Sequence, residues 1–116
     1  MKPIPEVGKE YNYFDDGKIR LDRRDTVTIT EIIPFNDASE TMKREWEKET
    51  SACDWLFAPT TDYFIKAVLE INGIELIFVR TIDGGWFSYS DKMWDGRLDV
   101  DGELYRFALN RFSTIK

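Results

Sequence analysis

The chain has 116 residues, with 22 acidic against 16 basic side chains for a net charge of −6, one cysteine and no histidine. That length holds one domain, 1–116, and an aromatic content of 15% argues against disorder. Without histidine there is no Cys/His zinc site and no imidazole-dependent triad, and a single cysteine cannot close an internal disulfide.

The first residues, Met1 to Gly8, lead into no apolar stretch of signal-peptide length, and the longest apolar run, Ile74 to Val79, is broken by Glu75 and far too short to span a bilayer. The expectation is a cytoplasmic protein that keeps Cys53 as a thiol and binds no membrane. Lys9 to Phe14 reads as a short aromatic strand. The basic residues that follow (Lys18, Arg20, Arg23, Arg24) are interleaved with Asp15, Asp16, Asp22 and Asp25, so they form a mixed-charge loop rather than a phosphate-binding patch. With the net acidity, this argues against nucleic acid as a partner.

Thr26 to Ile33 is β-branched and alternating, and Pro34 ends it. Asp37 to about Ala52 changes character. Asp37 with Glu40 fits a capping box, and Ala38, Met42, Trp46 and Cys53 form an apolar stripe at helical spacing. Pro59 holds Ala58 extended and leads into the next strand. There Tyr63, Ile65, Ala67, Leu69 and Ile71 share a face. Ile74 to Thr81 is apolar on both faces, as in a central strand. Trp86 to Tyr89, Leu98 to Val100 and Leu104 to Leu109 complete the strands. Five glycines follow Asp or Asn, at Gly17, Gly73, Gly84, Gly96 and Gly102. Such dipeptides favour hairpin turns, because both central residues take positive φ, and five of them predict an antiparallel meander. The predicted fold is α+β, mainly β: an antiparallel curved sheet or small open barrel, SH3-like in one form, with one amphipathic helix at about 37–52. A barrel and a two-layer roll both remain open.

No constellation identifies a reaction. Asp95, Asp99, Asp101 and Glu103 gather around Gly102, but an EF-hand register there puts Arg97 and Ala108 at ligand positions, so no metal site is predicted. Asp83-Gly84-Gly85 lacks the Lys-Ser/Thr ending of a phosphate loop. Cys53 lies near a helix C-terminus beside Asp54, where the field opposes a thiolate. No catalytic residue and no cofactor is assigned, which leans away from an enzyme. The aromatic surplus points instead to binding. Tyr11, Tyr13, Asp15, Asp16, Trp86, Tyr89, Trp94 and Asp95 are the candidate binding residues, Trp94 because it falls in a polar loop.

The stretches Gly8 to Lys18, Arg23-Arg24, Ile32 to Phe35, Gly84 to Ser88 and Trp94 to Leu98 resemble a family of small bacterial proteins with no assigned function. The resemblance implies a bacterial origin and transfers no site residue. The expected function is that of a small acidic protein-binding module, inhibitor- or immunity-like or regulatory, whose charge steers it to a basic protein partner. The alternative is a small-ligand or glycan-binding domain with a Trp/Tyr platform.

Overall fold

The computed structural model describes residues 1–15, 18–89 and 95–114, with side chains as far as Arg111. Six strands form a closed antiparallel barrel: β1 (Glu10–Asp15), β2 (Arg24–Pro34), β3 (Tyr63–Leu69), β4 (Glu75–Arg80), β5 (Trp86–Ser88) and β6 (Gly96–Asp99). Each strand pairs with its sequence neighbour, and β6 closes on β1 with Tyr13 opposite Leu98. Closure leaves no free sheet edge. Helix α1 (Glu40–Ser51) joins β2 to β3, and α2 (Glu103–Thr114) follows β6.

Strand alternation sorts the apolar residues into two cores. Ile65, Ala67 and Leu69 of β3, Leu76 and Phe78 of β4, Trp86 of β5 and Tyr13 of β1 fill the barrel. In β2 the inward set is Val27 and Ile29 and then Ile32, because the register against β3 shifts between Ile29 and Glu31. One extra residue there reverses the alternation. The opposite faces of β3, β4 and β5 carry Phe64, Val79 and Phe87, which form an outer core with Ala38, Met42, Trp46 and Cys53. The stripe read from the sequence is therefore the one that fastens α1 to the outside of the barrel. Its cap is Ser39, whose hydroxyl accepts from the Met42 amide at 3.1 Å. Asp37 instead ends a short 3₁₀ turn, Phe35–Asp37, so the predicted Asp37 capping box does not form.

The predicted last strand, Leu104 to Leu109, is helix. A short apolar window fits both periods, and here Leu104, Tyr105 and Ala108 share the less exposed side of α2. The deciding signal lies just upstream. Asp99 accepts from the amides of Leu104 and Tyr105 at 3.2 and 3.0 Å, and Asp101 accepts from the Glu103 amide at 3.1 Å. These carboxylates satisfy the orphan donors of the first turn and complement its dipole. The glycine pairs divide accordingly. Asn72-Gly73 and Asp83-Gly84 turn the chain between strands, with φ of +73° and +85° at the glycines. Gly102 instead joins β6 to α2, and Gly96 begins β6 without a positive φ, so neither forms the predicted two-residue hairpin turn. Gly96 is required by space, since a Cβ there would lie 2.3 Å from the Phe14 carbonyl oxygen and 2.7 Å from the Tyr13 ring. Asp16-Gly17 falls outside the described residues. Ile71, predicted to face inward, sits in the β3–β4 turn and is exposed.

One charged side chain reaches the end of the barrel. Arg80 follows Leu76 and Phe78 on the inward register, and its side chain is 4% exposed. Its Nε and Nη2 donate to the two oxygens of Asp62 at 2.9 and 3.1 Å. Nη1 donates to the carbonyls of Lys2 and Gly84 at 2.7 and 2.6 Å. The guanidinium lies 3.9 Å from the centroid of the Trp86 ring, whose indole N–H donates to the Pro3 carbonyl at 3.0 Å. The N-terminal segment is thus drawn across the barrel end. Lys2 adds ion pairs to Asp101 and Glu103.

The two halves of the Arg80–Asp62 pair differ in burial, 4% against 40% side-chain exposure. Arg80→Met, which strands two carbonyls and a carboxylate, is expected to cost about 3–5 kcal/mol. Asp62→Asn, where water can reach the site, is expected to cost about 1 kcal/mol. Urea unfolding of the two variants checks the asymmetry, and equal losses would contradict it.

Candidate functional site

The site grows out of the join between α1 and the barrel. After α1 the chain turns tightly, with the amides of Leu56 and Phe57 both donating to the Cys53 carbonyl at 3.0 Å. It is then stitched to the end of β4. Phe57 bridges Thr81, the Ala58 amide donates to Arg80 O at 3.2 Å, and the Ile82 amide donates to Leu56 O at 2.8 Å. Leu56 and Phe57 turn inward to the outer core. Trp55, out of step with the α1 stripe, is left 71% exposed, and Ile82 across the join is exposed too.

Beside Trp55 lies a cleft of about 320 Å³ between the end of α1, the following turn and β5. Glu49, Cys53, Leu56, Phe87, Tyr89 and Asp95 line it with Trp55. Its walls are mostly apolar and aromatic, and its charged groups are acidic. Glu45 and Glu49 are four residues apart on α1, a like-charge spacing that costs a helix about 0.2–0.5 kcal/mol. Among the described residues, Glu45, Glu49 and Asp54 make no ion pair. Tyr89 is 7% exposed, and among the described residues its hydroxyl has no hydrogen-bond partner. Burial, with the charges of Glu45 and Glu49, pushes its phenol well above the ordinary tyrosine range. A proton is hard to remove from a site that is poorly hydrated and negative. Elsewhere, hydrogen bonds from Thr81 and from the Gly85 amide, with Arg97 nearby, hold the Asp83 carboxyl below the usual range despite partial burial. That arrangement pins the β4–β5 turn.

Of the residues singled out from sequence, Tyr89 and Asp95 line this cleft together. Tyr13 and Trp86 are fully buried in the barrel core, so their rings are not available to a ligand outside it. Tyr11 is half-buried against the same core, and its hydroxyl accepts from the Glu6 amide at 2.9 Å. Its open flank belongs to a shallow polar hollow with Asn12 and Asp99, remote in sequence from α1. Asp15 ends β1, 3.9 Å from Arg23. Asp16 and Trp94 lie outside the described residues. Sequence reading missed Trp55 and Glu49. The available signal was that Trp55 stands off the stripe of Ala38, Met42, Trp46 and Cys53, in a segment with no strand alternation to bury it.

No helix among the described residues is long and apolar enough to cross a membrane. No protein-family model, curated protein or solved structure matches the chain.

Tyr89→Phe removes a buried hydroxyl that lacks a partner. At pH 7 it is expected to leave stability unchanged or raise it by about 1 kcal/mol. Because the folded-state phenol titrates above the unfolded one, the hydroxyl has no linked effect below about pH 10, and above it ionisation of the unfolded chain lowers stability as pH rises. Unfolding free energies of wild type and Tyr89→Phe should therefore run parallel up to about pH 10, with the wild type falling faster above it. A variant less stable than wild type at neutral pH would contradict this.

Proposed function

We propose that the chain is a protein-binding module that docks a basic partner on the acidic, aromatic face around Trp55. The observation that carries this reading is Trp55 itself, 71% exposed on the rim of a cleft whose neighbouring carboxylates Glu49 and Asp54 pair with no cation among the described residues. Tryptophan is enriched among the anchors of protein interfaces, being large, rigid and amphipathic. Exposed Ile82 extends the apolar contact across the join. The net charge of −6 steers approach of a positive partner, and Glu45, Glu49 and Asp54 draw it to this face. A platform for a whole sugar or cofactor fits less well. The cleft is at the small end of ligand sites, which run roughly 300–1,000 Å³, and Trp86, a candidate for that platform, is inside the barrel. This reading sets the protein in the cytoplasm, where its single cysteine stays reduced.

A decapeptide of alternating arginine and glycine serves as the probe, with its aspartate counterpart as control. At low ionic strength the basic peptide is expected to shift the Trp55 indole N–H resonance and those of neighbouring cleft residues, and the acidic peptide to leave them unmoved. Trp55→Ala should weaken binding at least tenfold without changing the urea midpoint, since the ring supports little of the fold. Shifts that gather on another face, or equal response to both peptides, would contradict the reading.

A further inference from the structure

We propose that the cleft beside Trp55 is an arginine socket, which receives one guanidinium side chain of the partner between aromatic walls and the Glu49 carboxylate. This rests on the partner-binding reading and names what enters the cleft. At about 320 Å³ the space suits a single long side chain. Trp55 and Phe87 are among its lining residues, and an aromatic ring attracts a cation that has left water.

The charge is arranged to match. Glu49 is half-buried on the cleft lining with these rings and makes no ion pair among the described residues, so an incoming cation meets an unneutralised carboxylate. Glu45 stands one turn earlier on the same side of α1 and adds its field. Tyr89 supplies a second sign, because its buried hydroxyl, on the cleft lining and within the field of those two carboxylates, has no hydrogen-bond partner among the described residues.

Arginine fits better than lysine for two reasons. Guanidinium is planar, stacks on rings and sheds water more readily than ammonium, whereas a lysine head group is a strongly hydrated point charge. Cations of the chain already lie over rings, Lys43 over Phe35 at 5.3 Å among them, and the closest approach is an arginine's. Arg80 lies over Trp86 at 3.9 Å, Arg24 over Tyr105 at 5.0 Å and Arg97 over Phe87 at 5.8 Å.

The test uses the intact protein and three probes of the same length: n-butylguanidinium, n-butylammonium and neutral n-butylurea, followed by NMR. Butylguanidinium is expected to shift Cys53, Trp55 and Phe87 with a dissociation constant of roughly millimolar, butylammonium to bind several-fold more weakly, and butylurea not to bind. Glu49→Gln should weaken the guanidinium at least fivefold. Its fold is safe, because it removes a like-charge pair with Glu45. Glu31→Gln, on β2 beside Lys66, should change nothing. Binding of butylurea as tight as that of the cation, equal or tighter binding of butylammonium, an unchanged affinity in Glu49→Gln, or shifts away from the cleft would each overturn the socket. Its failure is separable from that of the wider reading. If Trp55→Ala abolishes binding of the arginine–glycine decapeptide while butylguanidinium leaves the cleft untouched, the docking face stands and the socket falls.

Discussion

A guanidinium withdrawn from water must find acceptors for its N–H groups and a counter-charge, or the fold that buries it is lost. Arg80 finds both, and in doing so it joins three parts of the chain that are far apart in sequence. Asp62 supplies the charge from the segment entering β3, Gly84 a carbonyl from the β4–β5 turn, and Lys2 a carbonyl from the N-terminus. Trp86 forms the floor, and its own indole N–H is satisfied by Pro3. None of these partners has a geometry independent of the others. The barrel end is therefore an interlocked unit rather than a sum of separate contacts.

The candidate site is built on the same unit. The backbone of Arg80 is bonded on both sides, its amide to the Thr61 hydroxyl at 3.1 Å and its carbonyl to the Ala58 amide at 3.2 Å. Two residues further on, Ile82 holds the Leu56 carbonyl. The chain leaving α1 is thus fixed against the end of β4, and Trp55 stands at the tip of that fixed turn. An anchor residue held on rigid elements loses less conformational freedom on binding than one on a mobile loop. On the other side of the cleft, α1 is seated on the outer core by Met42, Trp46 and Cys53, which presents Glu45 and Glu49 beside the Tyr89 hydroxyl. The inner core shapes the barrel, and the outer core shapes the cleft.

Much of this architecture is legible in the residues themselves, and the limits are physical. The strand alternation of β2 and β3, the two-faced apolar character of β4 and the helical stripe of α1 are local patterns, and each matches the element that forms. Hairpin chemistry is less decisive. Asn72-Gly73 and Asp83-Gly84 turn the chain, but Asp95-Gly96 answers a steric demand from β1, a strand some eighty residues earlier in the chain. No local rule reveals that. The α2 segment misleads because Leu104 to Leu109 alternates well enough for a strand, while the carboxylates that start the helix, Asp99 and Asp101, read as turn formers or a solvated strand face. The site is less legible than the fold. Tyr89 and Asp95 were visible as candidates, but a ring's usefulness depends on which side of a closed sheet it faces. Tyr13 and Trp86 turn inward, and Trp55 is left out only because the stripe around it is satisfied without it.

Native-state hydrogen exchange on wild type and Asp62→Asn probes the interlock most directly, since that variant loosens the Arg80 clamp without emptying the core. The Ala58 and Ile82 amides and the Trp86 indole N–H are expected to lose protection together, while the β2–β3 ladder amides keep theirs. Protection lost only beside Asp62, or lost evenly through the barrel, would show that Arg80 does not couple the barrel end to the turn that carries Trp55.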